Sequence, residues 1–255
     1  QANLLQHGRR QVLCFVDDQH GMPPAAMAAQ QVPGQGIQQH LAGRLRVSTD
    51  GAQLIAHGLQ QFIGRERRID DKRDVTRRRQ LLHQAGYTFQ VIPPHDKAEC
   101  GVCSGEIPPE MVARLAYRKA SDVASRVEEG IVIGCDTVAE CMGQILGKPR
   151  DHAHARQMLQ LLRGRIHRVY SGLCLWRRPD DRRWVEVDVT RLRMDPVSDP
   201  LLEDYLETEA WVGKAGAFGY QDGLDWIHVL EGSESNVVGL PLELMERLMR
   251  QACQR

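Results

Sequence analysis

No apolar run in this 255-residue chain approaches the roughly 20 residues that a membrane-spanning helix needs, so no such helix is expected. Net charge is absent as well, with 33 Lys and Arg against 33 Asp and Glu. No overall field draws the molecule toward nucleic acid or anionic lipid, and a bound anion must be held by a local arrangement. The opening residues lack the charged-then-apolar pattern of a signal peptide, which makes a cytoplasmic location the expectation. Cys100 and Cys103 form a CxxC without a second closely spaced Cys/His pair, so a structural zinc site is not supported. The seven cysteines are odd in number and scattered, which fits reduced thiols better than a disulfide framework.

What is present is ordinary in bulk and uneven along the chain. Hydrophobic residues make up 42% and charged residues 26%, as in a globular protein long enough for one large α/β domain or two small ones. Residues 1 to about 75 read as an extension, rich in glutamine pairs (Gln30-Gln31, Gln38-Gln39, Gln60-Gln61) and ending in the charged segment from Gly64 to Arg73. Short apolar pieces occur there, Val12 to Val16 and Leu54 to Ile63, but neither is long or well capped. The expectation is a poorly structured extension, whether disordered, a small accessory element or a product of how the reading frame was assigned, since the chain opens on Gln1. The arginines and Lys72 of the charged segment are interrupted by acids and read as a solvated stretch.

From residue 76 onward strands and helices alternate, which argues for a buried central sheet. Leu81 and Leu82 lie on a short helix stopped near Gly86, and Tyr87 to Ile92 reads as a strand ended by Pro93-Pro94. A helix follows Pro108-Pro109, with Met111, Val112, Leu115 and Ala116 on one face. The unbroken run Ile131 to Cys135 predicts a strand covered on both faces. Asp151 is placed to cap a helix carrying Met158, Leu159 and Leu162. Val169 to Trp176 and Trp184 to Leu192 form a predicted hairpin around Pro179-Asp180-Asp181. Asp199-Pro200 starts another helix, and Pro241 opens the last.

Several residues could carry chemistry. Asp136 comes directly after the Ile131 to Cys135 run, at the carboxyl end where open α/β sheets place a ligand crevice. A carboxylate there can hold a divalent cation or take a proton from water, or it can simply cap a turn, and local sequence leaves both open. Lys119 lies on the preceding helix, Glu99 in the loop before it, and Lys148 in Gly147-Lys148-Pro149. Each alone reads as a surface residue; converging on Asp136 they would suit a metal-bound triphosphate. The loop from Gly213 to Gln221 is glycine-rich yet has neither GxGxxG nor Walker spacing. Gln221 at its end offers a donor and an acceptor, as reading a pyrimidine edge requires; a structural turn is the alternative.

Together these segments resemble the Maf family of nucleotide pyrophosphatases. The resemblance rests on Arg77-Arg78-Arg79-Gln80-Leu81-Leu82, Arg118-Lys119-Ala120, Gly134-Cys135-Asp136-Thr137-Val138, Gly147-Lys148-Pro149, Gly164-Arg165, Lys214-Ala215-Gly216-Ala217-Phe218-Gly219 and Asn236-Val237-Val238-Gly239-Leu240-Pro241 in that order. It implies an α/β fold with an elongated mixed central sheet flanked by helices, Maf/ITPase-like, over residues 76–255. It also implies cleavage of a nucleoside triphosphate to the monophosphate and pyrophosphate with Mg²⁺ or Mn²⁺. Asp136 then matches the general base, Glu99 and Asp136 the metal site, and Lys119 and Lys148 the phosphate contacts. Arg77 and Arg78 match the arginines of the phosphate loop. Arg77, Thr137 and Gln221 fall on specificity positions and look like the branch acting on dTTP and UTP, the branch preferring 7-methyl-GTP being the alternative. A homodimer is consistent with the family, while no nucleic-acid or membrane partner is implied. One departure stands out: the family opens with an apolar strand and a Ser-x-Ser-Pro loop, where this chain reads Asp71-Lys72-Arg73-Asp74-Val75-Thr76 before Arg77. The competing expectations are a start lost through a frame error and an impaired relative that binds nucleotides or division proteins.

Overall fold

The computed structural model describes residues 13–16, 77–99 and 105–254, with Asp96 and Glu99 described by backbone alone. The Leu54 to Ile63 piece, the charged segment, the Asp71 to Thr76 stretch and the Cys100/Cys103 pair lie outside the described residues.

One mixed sheet organises the chain. Its strands are β1 (Leu13–Phe15), β2 (Gln90–Val91), β3 (Gly130–Cys141), β4 (Gln144–Leu146), β5 (Ile166–Arg178), β6 (Arg182–Met194) and β7 (Ile227–Glu231). The helices are α1 (Arg77–Gln84), α2 (Pro108–Ala124), α3 (His152–Leu162), α4 (Asp199–Glu207), α5 (Glu234–Val238) and α6 (Leu242–Cys253). Strand order is β2-β1-β3-β5-β6-β7, with β4 also pairing β3. β1 runs parallel to both β2 and β3, and the remaining pairs are antiparallel. β5 and β6 are 13 residues each, which at about 3.4 Å per residue makes an elongated hairpin of roughly 40 Å.

The expected α/β architecture is therefore the observed one, with instructive differences. Asp151 caps α3 as expected, its carboxylate accepting the His154 amide at 2.7 Å. At α4 the capping side chain is Ser198, and Asp199 occupies the first turn. The Tyr87 to Ile92 strand shortens to two residues. Within the opening stretch, expected to be poorly structured, Leu13–Phe15 forms β1 between β2 and β3. Phe15 and Val16 are fully buried, the Val16 amide donates to Ile133 O at 2.9 Å, and Ile92 N donates back to Phe15 O at 3.0 Å. An apolar strand beside β3 is thus present, supplied from far upstream of Arg77.

The two faces of the sheet are covered unequally. α2 lies on one face, where Ala116, Ala120, Val123 and Ala124 pack with Cys14, Val132 and Cys174. Its approach is close because Gly134 and Gly172 have no side chains. A Cβ at Gly134 would sit 2.4 Å from Ala116 O, and one at Gly172 2.1 Å from Val112 O. The opposite face carries α1 and α6 over Leu13, Phe15, Ile131 and Ile133, and farther along the strands α3 and α4 over Ala139, Val169 and Leu192.

Candidate active site

The register of β3 creates the site. On one edge it pairs continuously with β5 from Gly130 to Glu140. On the other it pairs with β1 at Ile131–Ile133 and with β4 at Ala139–Cys141. Between them, Gly134 to Val138 meets no paired strand among the described residues, so the sheet has a notch, and Asp136 stands at its centre. Sequence reading put Asp136 just after a strand. In the structure the strand runs through it, and what ends at this level is the parallel neighbour β1, so the crevice arises where strand pairing changes direction.

Alternation along β3 divides the site between two faces. Gly134, Asp136 and Val138 face α2. There the Lys119 ammonium donates to Asp136 Oδ1 at 2.5 Å, with Lys119 1% and Asp136 14% exposed. A lysine this buried is unusual unless paired, and the pair leaves Asp136 reachable from the notch. The glycine contacts explain how the pair forms: α2 settles onto Gly134 and Gly172, the residue opposite Asp136, bringing Lys119 down to the carboxylate. Cys135 and Thr137 point to the other face. Thr137 Oγ1 lies 2.8 Å from Ser171 Oγ, and Arg78 reaches it with Nη2 at 3.5 Å. Arg78 Nε also donates to Gly239 O at 2.8 Å, where Gly239, with φ of 112°, closes α5. The Asn236 to Pro241 segment thus supplies a carbonyl that docks Arg78.

The glycine-rich loop packs on this second face, beside the segment that carries Lys148. β4 is antiparallel to β3, so the chain leaving Leu146, opposite Ala139, runs back along the notch toward the level of Asp136. Gly147 O accepts from Gly216 N at 3.1 Å, tying the exposed Lys148 segment to the loop. Gly216, at φ 71°, packs over Ala139, where a Cβ would come within 3.1 Å of the Ala139 methyl. Gln221 is exposed in the turn Tyr220–Asp222. Arg77, the first residue of α1, lies within electrostatic reach of Lys214 and Tyr205.

Sequence reasoning missed Lys214 as a site residue. It is 4% exposed and ion-paired with Asp222 across the loop. The signal was a cation and an acid bracketing a run of glycines. Glu99 ends the one-turn segment Asp96–Glu99 at the approach to α2, described by its backbone. Among the described residues no three His, Cys, Asp or Glu side chains gather in a metal-binding group.

Comparison with known proteins bears on this geometry. Residues 75–252 match the family described as Maf-like protein. The chain belongs to the Maf family. Among its Maf relatives is a protein of Rhodopirellula baltica named dTTP/UTP pyrophosphatase, 56% identical over 174 residues that cover 68% of this chain and 77% of the relative. Proteins of the same name from Carboxydothermus hydrogenoformans and Geotalea uraniireducens are 38% and 39% identical over 176 residues, covering 93% and 90% of those chains. The Maf match begins at residue 75, so β1 comes from outside it. No helix of the described residues is long and apolar enough to cross a membrane.

Proposed function

We propose that this protein is a nucleoside triphosphate pyrophosphatase acting on dTTP and UTP, with Asp136 as general base. The observation that carries the proposal is the buried Lys119 ammonium holding Oδ1 of Asp136 at an open notch of the sheet. The pair fixes a carboxylate that keeps 14% of its side-chain surface exposed at that notch. The relatives' printed name, dTTP/UTP pyrophosphatase, supports the substrate class.

In this mechanism Asp136 accepts a proton from a water that attacks the α-phosphorus. A new P–O bond forms from water, the bond to the bridging oxygen breaks, and pyrophosphate leaves. Lys119 fixes the orientation of the base, while Lys148 and the Arg77/Arg78 pair neutralise the phosphate chain from the other side of the notch. Thr137 and Gln221 offer the hydrogen-bonding groups for the nucleobase end. Asp136 would hold a small hard cation together with substrate phosphates and water, the oxygen ligands Mg²⁺ commonly takes, with Glu99 as the second carboxylate that the family resemblance assigns. Bound there, Mg²⁺ or Mn²⁺ would offset charge on the leaving pyrophosphate.

Product analysis tests the reaction. Incubated with UTP, dTTP, CTP and 7-methyl-GTP in Mg²⁺, the full chain is expected to release UMP and dTMP with equimolar pyrophosphate. Release of UDP with orthophosphate would contradict α-phosphorus attack, and turnover of 7-methyl-GTP alone would move the protein to another branch. An absence of turnover with intact nucleotide binding would favour an impaired relative.

A further inference from the structure

The Lys214–Asp222 pair has no role in the mechanism above, although it is built into the wall of the site. Lys214 stands near the start of the glycine-rich loop and Asp222 directly after its end, so their ion pair closes the loop on itself. The loop backbone wraps tightly over the pair. A Cβ on Gly219 would lie 2.0 Å from Lys214 Nζ and 2.2 Å from Asp222 Oδ2, so a side chain there would displace the pair. Around the pair, Ala217 N donates to Lys214 O at 3.1 Å, Asp222 N to Gly219 O at 3.0 Å, and Gly219 N to the Tyr205 hydroxyl at 3.2 Å. Burial drives the Tyr205 pKa up, and the Asp222 carboxylate drives it further. Burial pushes the Lys214 ammonium down, Asp222 pulls it back, and Arg77 pushes it down again. Lys214, Asp222, Tyr205 and Arg77 are thus one electrostatic group, and Gln221 is the exposed residue immediately before Asp222.

We propose that the Lys214–Asp222 ion pair is a clamp that holds Gln221 in register with Arg77, making Asp222 a positioning residue for nucleobase selection. An exposed glutamine at the end of a run of glycines has no rigidity of its own, and an amide that must present a donor and an acceptor to one base edge needs a fixed backbone. Asp222 provides it by anchoring the neighbouring residue to a lysine rooted in the core. The proposal rests on Gln221 reading the base.

The test compares steady-state turnover of UTP and CTP by the wild type, Asp222→Asn, the double variant Lys214→Gln/Asp222→Asn, and Gln221→Ala. Asp222→Asn leaves a buried ammonium without its counter-charge, and is expected to raise KM for UTP at least tenfold while kcat falls less than threefold. The UTP-over-CTP preference is expected to shrink by a similar factor. The double variant restores a neutral hydrogen-bonded pair and is expected to recover at least half of the lost preference; it also decides the matter if Asp222→Asn does not fold. Hydrogen exchange over residues 213–223 is expected to quicken in Asp222→Asn and slow again in the double variant. A folded Asp222→Asn enzyme with unchanged preference, while Gln221→Ala loses it, overturns the clamp alone. Unchanged preference in an active Gln221→Ala enzyme removes the base-reading assignment and the clamp with it.

Discussion

A lysine with 1% exposure and a carboxylate at 2.5 Å is a strained allocation of charge unless function requires it, because both ions have given up most of their water. Removing one partner of such a pair costs about 3–5 kcal/mol, since the survivor is left buried and uncompensated. Lys119→Met is accordingly expected to lower stability in urea by that amount and to abolish turnover. Asp136→Asn keeps an acceptor for Lys119 and is expected to unfold at a denaturant concentration closer to wild type. At this scale the sequence was informative where chemistry is written in residue type: Asp136, Lys119, Thr137 and Arg78 do meet around the notch. Lys214 and Asp222 were not legible as partners, because their contact depends on the conformation of the loop, which sets Gly219 against the pair.

Elements were legible where periodicity or caps speak loudly, as in α2 with its paired prolines and α3 with its Asp151 cap. They were not where tertiary pairing overrides local pattern. The polar Asp136-Thr137 appeared to end a strand that continues to Cys141, because β5 pairs it on one side and polar residues are tolerated at the notch. β1, three residues long, is strand only by virtue of neighbours on both sides. The packing of α2 onto two glycines makes a prediction at this scale. Gly172→Ala would place a methyl where Val112 O already lies, so α2 must shift outward. Stability is expected to fall by about 1–3 kcal/mol, as for overpacked cores. Turnover is expected to fall more than this loss accounts for, because Lys119 moves away from Asp136. Equal activity per folded molecule in Gly172→Ala, measured beside thermal unfolding, would detach α2 placement from catalysis.

For the whole molecule, the sheet needs a strand from outside the Maf-matched residues. Phe15 is 0% exposed and edges onto Phe89 with ring centroids 6.2 Å apart. Phe15→Ala is therefore expected to cost about 3–5 kcal/mol in urea unfolding, a value near zero being incompatible with β1 in the core. The pH dependence of stability adds a second check. Burial depresses His167 to about 4, so the unfolded chain takes up its proton first as pH falls from 6.5. Its contribution is present above about 6.5 and lost toward 4. Burial raises Asp188 to about 6, with Glu243 adding to the shift, and the sign reverses: stability present below 3.8 is lost as pH rises through 6. The two oppose one another between about 4 and 6. His167→Leu is expected to leave stability falling with rising pH across that window, and Asp188→Asn to leave it rising; identical pH profiles in both variants would contradict these assignments. The central claim is more direct still, that Asp136 at the notch of β3 activates water against a nucleoside triphosphate. It is tested by single-turnover pyrophosphate release from UTP with Mg²⁺, comparing the wild type with Asp136→Asn. A loss of about 10²–10⁴-fold with UTP binding retained is the predicted result for a missing general base, and undiminished release by the variant would contradict it.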